Sequence, residues 1–398
     1  MGTKALGIVL VGVLGCEAAY GQAKPSDPCT VADRSFAAHL LPEARSGYEA
    51  CLAAGQVTFE ILSNLGAVYS QLSQFDRAIP TYRQALALNP DNPFLHLNLG
   101  LAFYKSDKVR EAAVEFSRTL ILDPDNLKAL ELLAFCHYQM NQIDLAAAEA
   151  SRVERAQPED GSAMLLLGTC LLRLGQYKQA IQLLYLATLK ADLPQTHLLL
   201  GEALLGVKAF KSAMREFTGV LAASPDTPGL TDDLGIAYAG LGQPDKAIEE
   251  FQKQLAADPN DFQANYYLGR LKRLNNEPDA AKQFLAKAEQ LRTGDPSVGY
   301  EYAVFAIQDK DYAKAEGLLS DILNRVPNYT DAHVLLAEVY YKLHRPDDAK
   351  RERAIIEALK KEEQEEENAG GKPPESPAPQ SPGPQAPGRP AVAKPADP

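Results

Sequence analysis

Apolar residues along this chain recur three and four positions apart rather than alternating. Leu62, Leu65 and Tyr69 form one such stripe, and Ile79, Tyr82 and Leu86 the next. The spacing predicts two amphipathic helices of about a dozen residues each, paired as a hairpin. The hairpin pattern then repeats. NLGAVYSQLSQFDRAIPTYRQALALNP, from Asn64, superimposes on NLGLAFYKSDKVREAAVEFSRTLILDP, from Asn98, at a shift of 34 residues, and a fixed period of this length is the signature of a stacked helical array.

Three columns define the frame. The first is alanine in every unit: Ala78, Ala112, Ala146, Ala180, Ala213, Ala247, Ala281, Ala315 and Ala349, with steps of 34 except for 33 between Ala180 and Ala213. Twelve residues before each lies a second small residue: Gly66, Gly100, Ala134, Gly168, Gly201, Gly235, Gly269, Ala303 and Ala337. Small residues at facing positions let two antiparallel helices approach to about 8–10 Å. The third column holds Pro90, Pro124, Pro158, Pro225, Pro259 and Pro327, where proline ends the second helix because it cannot donate the next backbone hydrogen bond. A single hairpin cannot bury its own apolar face, so the units must stack.

Leu65, Gly66, Tyr69, Ala78, Tyr82, Ala85 and Pro90 all fall on signature places of one unit, and the chain resembles the tetratricopeptide repeat (TPR) family from about Phe59 to Glu363. The fold this implies is all-α, a right-handed superhelical α-solenoid of about nine hairpins plus caps. The repeats run 59–92, 93–126, 127–160, 161–193, 194–227, 228–261, 262–295, 296–329 and 330–363. Arg353 and Lys272 depart from the pattern, standing where a large apolar and an aromatic residue are usual. Residues 24–58 fit the frame less well, with Ala32, Ala44, Tyr48 and Cys51 in its columns, and are expected to be a degenerate capping unit. Pro80 lies inside a predicted helix but on its outward side, where a bend is tolerable. After the last repeat the helix turns polar, as a terminal cap requires, and residues 364–398 are expected to form a proline-rich, extended tail.

The resemblance also implies a binding surface, because first helices of such repeats line a groove. The corresponding positions here are Phe94, Leu97, Leu101, Tyr104, Phe135, Tyr138, Leu165, Leu172, Leu198, Leu205, Ile236, Tyr266, Tyr300, Val304, Ile307 and Tyr341, with few charges among them: Lys105, Glu131, Arg173, Arg270 and Arg273. Where chaperone-binding relatives clamp a terminal carboxylate with lysine and asparagine, this chain has Ser63, Ala67, Leu97 and Leu101. The clamp is absent. Two readings of the apolar positions stay open, a surface for a peptide, helix or protein face and packing between neighbouring first helices.

Composition narrows the partners. The net charge of −12 over 398 residues, with pI near 5.1, leaves no basic surplus for phosphates, so nucleic acid is excluded as a partner class. No HExxH, phosphate loop or GxSxG elbow is present. His96, His197 and His333 share one place in their units and read as packing residues rather than metal ligands. Neither a cofactor nor a metal is expected, and the space after Glu363 is too short for a catalytic domain.

The N-terminus carries an uncharged apolar run from Ala5 to Leu14, the length of a signal peptide's core and too short to span a bilayer. Two processing routes are open: cleavage after Gly21-Gln22-Ala23, or acylation of Cys16 in Val13-Leu14-Gly15-Cys16, which resembles the bacterial lipobox. Either leaves four cysteines. Cys29 and Cys51 fall at matching levels of the capping hairpin, as a disulfide or as free thiols; Cys136 and Cys170 read as core thiols. The expectation is an exported, non-catalytic scaffold, periplasmic, secreted or anchored to the outer membrane, that binds a protein or peptide along its apolar groove. The alternative is an accessory subunit of an envelope enzyme or of a secretion or assembly complex.

Overall fold

The computed structural model describes residues 28–369. The expected signal segment 1–23, with Cys16, and the proline-rich stretch 370–398 lie outside the described residues. Contacts divide the chain into two compact units, Met1–Met140 and Asn141–Pro398. The first contains α1 (Pro28–Ala37), α2 (Leu41–Ala53), α3 (Phe59–Gln71), α4 (Phe75–Leu88), α5 (Pro93–Lys105), α6 (Val109–Leu122) and α7 (Leu127–Gln139). The second contains α8 (Ile143–Ala156), α9 (Gly161–Arg173), α10 (Tyr177–Lys190), α11 (Pro194–Gly206), α12 (Phe210–Ala223), α13 (Leu230–Gly240) and α14 (Pro244–Ala257). It continues with α15 (Phe262–Leu274), α16 (Pro278–Leu291), α17 (Pro296–Gln308), α18 (Tyr312–Arg325), α19 (Thr330–Lys342) and α20 (Pro346–Ala369). Among the described residues the secondary structure is entirely helical, and the fold class is all-α. Within each unit odd-numbered helices are the first of a hairpin, even-numbered the second, and each second helix packs on the next first helix.

The two small columns explain why the helices pair so closely. Ala44, Ala78, Ala112, Ala146, Ala180, Ala213, Ala247, Ala281, Ala315 and Ala349 are all fully buried. Each glycine of the other column faces a large side chain sixteen residues later on the second helix. A Cβ added at Gly66 would stand 2.6 Å from the Tyr82 ring, one at Gly100 2.6 Å from Phe116, and one at Gly235 2.7 Å from Phe251. Gly168 and Gly269 stand in the same relation to Leu184 and Leu285. These large residues are themselves fully buried. The glycine is therefore the socket and the second helix supplies the plug. Ala32 and Tyr48 occupy the same two columns in α1 and α2, also buried, so the N-terminal cap is built on the repeat plan.

The turns within hairpins share a second device. His39, Ser73, Asp107, Asn141, Lys208, Asn276, Lys310 and His344 have positive φ, between 56° and 65°, and Gly175 and Gly242 take the equivalent places. A left-handed residue after a helix lets the next amide reach back to an orphan carbonyl, as in Gln74 N to Tyr69 O at 2.8 Å and Asp311 N to Ala306 O at 2.8 Å. Between hairpins, Asn92, Asn126, Asp160 and Asp261, each two residues after the column proline, cap α5, α7, α9 and α15 by accepting from an amide of the first turn; such caps are worth about 1 kcal/mol each.

One sequence expectation changes. The last helix runs to Ala369, so residues 364–369, expected in the tail, are helical. Their glutamate and glutamine content favours helix, and Lys361 pairs with Glu365 four residues on. Helix α4 continues across Pro80, which lies on the exposed side as expected. The departing residues are accommodated at the surface, Lys272 by Glu277 at 2.9 Å and Arg353 by the face of Tyr341, 4.7 Å from the ring centroid.

Filling a socket should cost stability. Gly235→Ala gains about 1 kcal/mol of helix propensity but overpacks Phe251 at a cost of roughly 1–3 kcal/mol, so urea unfolding should show net destabilisation. Gly219→Ala and Gly317→Ala, on α12 and α18 with nothing within 4 Å of the added Cβ, should instead stabilise. A Gly235→Ala protein as stable as the wild type would show that the close approach of Phe251 does not require glycine.

Candidate functional site

The surface suggested by sequence is carried by first helices, and each unit presents its own part of it. In the first unit Phe94 stands 47% exposed at the start of α5. Leu97, Leu101 and Tyr104 are half-buried against the unit's core, and Phe135 and Tyr138 on α7 are half-buried as well. The Tyr104 hydroxyl accepts from Gln139 Nε2 at 3.0 Å. Burial pushes its pKa up, so it serves as a neutral hydrogen-bonding group.

In the second unit Leu165 and Leu172 on α9 are half-buried. Leu198 is not at the surface, being 3% exposed. It joins a core of Ala213, Phe217, Val220, Leu230 and Leu234, because α13 packs directly on α11 and brings Leu230 and Leu234 over it. Leu205 packs at the margin of the same core, and Ile236 does so against Phe251 and Leu268. Tyr266, Tyr300 and Ile307 are half-buried over their own clusters, as is Val304. Tyr341 is exposed.

The densest grouping lies on α13, α15, α17 and the start of α19. Tyr266 stacks on Phe262 with ring centroids 6.2 Å apart and meets Tyr267 edge-on at 5.1 Å; Tyr300 stacks on Tyr329 at 5.8 Å. At its centre Glu301, only 1% exposed, accepts from Arg273 Nε at 2.5 Å and pairs with Arg270 Nε at 3.7 Å. The buried carboxylate is thereby compensated, as a buried charge must be. Arg270 keeps half of its side chain in solvent. Burial first, and then the negative charge of Glu301, raises the Tyr266 hydroxyl well above its ordinary value. For Tyr329 burial is again the main cause, followed by Asp331. Asp232 and Asp233, in the first turn of α13, are also buried, where the helix N-terminus favours negative charge. The family resemblance pointed to Tyr266, Tyr300, Arg270 and Arg273 but missed Glu301, Tyr329 and the aspartate pair. The signal was available in Glu301, a carboxylate at a first-helix position next to Tyr300 and 28 residues after Arg273.

The three equivalent histidines are packing residues with assigned partners. His96 Nδ1 lies 2.7 Å from Glu115, His197 Nδ1 2.7 Å from Glu216, and His333 Nδ1 2.6 Å from Glu352. In each case the carboxylate is nineteen residues later, on the second helix of the same hairpin. The other ring nitrogen reaches Pro90 O, Asp192 Oδ1 or Pro327 O in the preceding turn. Each ring thus joins both helices of its own repeat to the turn before it. No group of three or more metal-binding side chains occurs among the described residues, and no helix among them is long and apolar enough to cross a membrane.

Cys29 and Cys51 form a disulfide across α1 and α2, with Cα atoms 5.6 Å apart. Cys136 and Cys170 are fully buried thiols. Burial pushes Cys170 up to about 12, so it stays protonated and unreactive near neutrality.

Paired helices on this plan are shared with known proteins. Residues 66–107 match a TPR repeat model, and residues 238–300 and 306–369 match a tetratricopeptide repeat model. The chain contains tetratricopeptide repeats. Residues 109–184 match the model of anaphase-promoting complex, cyclosome, subunit 3. Among solved structures, a TPR protein from Parabacteroides merdae ATCC 43184 is 18% identical, with 60% of this chain and 95% of that chain covered at a TM-score of 0.47. YrrB, described as a TPR protein with an unusual peptide-binding site, is 17% identical over 45% of this chain and 93% of its own, at 0.42. The APC/C hetero-tetramer Cut9-Hcn1 is 14% identical over 83% and 86%, at 0.46. No curated protein matches the chain.

The histidine links of these TPRs predict a pH effect at His197. Burial alone would depress its imidazole, but hydrogen bonds to Glu216 and Asp192 reverse this and leave it raised. The folded state then binds the proton more tightly than the unfolded chain, whose histidine titrates near 6.5. Its stabilising contribution is complete below about pH 6.5 and is lost as pH rises through the folded value. Urea midpoints of wild type and His197→Gln should differ most at pH 6 and converge by pH 9. A difference independent of pH would show that the imidazolium contributes nothing.

Proposed function

We propose that this chain is a non-catalytic protein-interaction scaffold of the cell envelope, which binds a peptide, helix or protein face on the first-helix surfaces of its repeats. The observation that carries the reading is the aromatic surface of α15, α17 and α19, where Tyr266, Tyr300 and Tyr329 are half-buried around a half-exposed Arg270. Aromatic and arginine side chains are the groups that dominate protein interfaces. In the first unit Phe94, Tyr104, Phe135 and Tyr138 offer a second surface of the same kind. TPR proteins generally mediate protein–protein contacts, and neither surface gathers a nucleophile with a base.

The compartment forms part of the proposal. An apolar leader followed by Cys16 and by Gly21-Gln22-Ala23, together with a Cys29–Cys51 disulfide, supports an exported chain, since disulfides persist in oxidising compartments. The protein is then periplasmic, secreted or held at the outer membrane through an acylated Cys16. Mass spectrometry of the mature N-terminus distinguishes the forms: a diacyl- or triacyl-cysteine at Cys16, or a free amine at Lys24. An intact Met1 would overturn export.

For the binding surfaces, the test compares wild type with Phe94→Asp/Tyr138→Asp and with Tyr266→Asp/Tyr300→Asp in pull-downs from envelope extract. Leu97 and Leu101 are left intact because they support the core. Each pair should lose partners while keeping its helical content, with Tyr266→Ala/Tyr300→Ala as the variant that introduces no charge over the core. Folded variants that retain every partner would remove the surfaces from the function.

A further inference from the structure

Two arginines of α15 face a single buried carboxylate on α17, and one of them is surplus to it. Arg273 Nε meets Glu301 Oε2 at 2.5 Å and neutralises it. Arg270 Nε lies 3.7 Å from Glu301 Oε1, beyond the roughly 2.7–3.2 Å of an N–H···O hydrogen bond. No group among the described residues accepts a hydrogen bond from the Arg270 guanidinium, and the side chain is 49% exposed. A guanidinium presents its donors in a planar fork that matches the two oxygens of a carboxylate. Arg270 shows that fork to solvent in the middle of the tyrosine cluster.

The surroundings specify what carries the carboxylate. Ile236, Arg270 and Val304 occupy the same place in α13, α15 and α17, at steps of 34 residues, and Ile236 and Val304 are half-buried. The cation therefore lies between two apolar positions, each on a neighbouring helix about 10 Å away. One turn earlier Tyr266 and Tyr300 share a second place, with Tyr329 stacked on Tyr300. The hydroxyls of these three tyrosines make no hydrogen bond among the described residues, and burial keeps them protonated, so they too offer donors. With apolar positions on both sides, a ligand's chain crosses the arginine rather than ending on it. Its carboxylate then belongs to an aspartate or glutamate within a segment, not to a C-terminus. A doubly charged phosphate fits less well, because Glu301 and the exposed Asp331 at the start of α19 repel the second charge.

We propose that Arg270 receives the side-chain carboxylate of an acidic residue in a partner segment, whose flanking apolar residues rest on Ile236 and Val304. This rests on the reading of that surface as an interface. Glu301 acts as a positioning residue: by engaging Arg273 it fixes α17 on α15 and leaves the Arg270 fork to the partner. The chain's net charge of −12 does not cancel the contact, since charges more than about 8 Å away are largely screened at physiological ionic strength.

The test measures fluorescence anisotropy of labelled peptides on the full chain. The probe has blocked ends and a serine background, with a central glutamate and a leucine three residues to either side, a spacing that covers about 10 Å of extended chain. It should bind about tenfold more tightly than its glutamine counterpart, the scale of one charge-assisted pair. In Arg270→Gln, which retains the Arg273 pairing, that preference should fall below about twofold with helical content unchanged. Arg270→Lys keeps the charge without the fork and should retain about threefold; it decides the matter if Arg270→Gln loses helix. Failure of the glutamate peptide to bind, equal affinity for the glutamine peptide, or a preference that survives Arg270→Gln would each overturn the proposal. Tighter binding of the glutamine peptide with a free C-terminus would overturn it in favour of a terminal carboxylate. Tighter binding with phosphoserine at the centre would do so in favour of a phosphorylated partner. If Arg270→Gln keeps every envelope partner that Tyr266→Ala/Tyr300→Ala loses, the carboxylate assignment falls and the interface stands. If both variants keep every partner, both fall.

Discussion

Everything in this fold depends on how closely two antiparallel helices can approach. At Gly66, Gly100 and Gly235 the first helix has no side chain, and the ring of Tyr82, Phe116 or Phe251 lies where a Cβ would be. The buried alanine column works from the opposite side, keeping the second helix thin where it meets the first. Burial of a large ring is worth roughly 2–3 kcal/mol on area grounds, and it is available in these hairpins only because the opposing position is small. Where the small residue is alanine, as at Ala303, the plug is the smaller Leu319. The small residue makes room for the plug without fixing its size, since Gly168 and Gly269 also face leucines.

A core built from repeated plug and socket leaves little freedom for function. Residues in the columns are committed to packing, and so are first-helix positions such as Leu97, Leu101 and Leu198 once the next helix is in place. The outward part of each first helix stays free to vary. It is there that the second unit gathers tyrosines around Arg270, Arg273 and Glu301. The buried Glu301 is costly unless paired, and two arginines from the neighbouring helix α15 are supplied for it. One of them, Arg270, still faces solvent, so the ion cluster both fixes α17 on α15 and leaves a donor at the surface. Packing and recognition are carried here by the same side chains.

Much of this was legible in the sequence because packing repeats and recognition does not. The alanine, glycine and proline columns are identical or nearly so, and they revealed the hairpins, their period and the capping unit through Ala32, Ala44 and Tyr48. The left-handed turn residue was harder to see: Ser73, Asp107, Lys208, Asn276 and Lys310 have no common chemistry, since the backbone and not the side chain is what the position requires. The histidine links were half visible. His96, His197 and His333 shared a column, but their carboxylates sit nineteen residues away on another helix, and only the hairpin geometry brings them within 3 Å. Leu198 was misplaced for a related reason. Its column is half-exposed at Leu165, but the loop before α13, with Gly229 at φ 83°, delivers Leu230 and Leu234 onto α11 and covers it.

The two ends of the described chain show how the same repeat is closed off by different means. In a stack each hairpin is stabilised by its neighbours, so a terminal hairpin lacks one interface. At the N-terminus α1 has ten residues and a small core, and a covalent bond supplements it. Closing the 22-residue separation between Cys29 and Cys51 restricts the unfolded chain by about 3 kcal/mol. At the C-terminus there is no cysteine to use, and α20 instead extends in lysine, glutamate and glutamine. That solution leaves the end soluble, because its far turns carry charge rather than an uncovered apolar stripe.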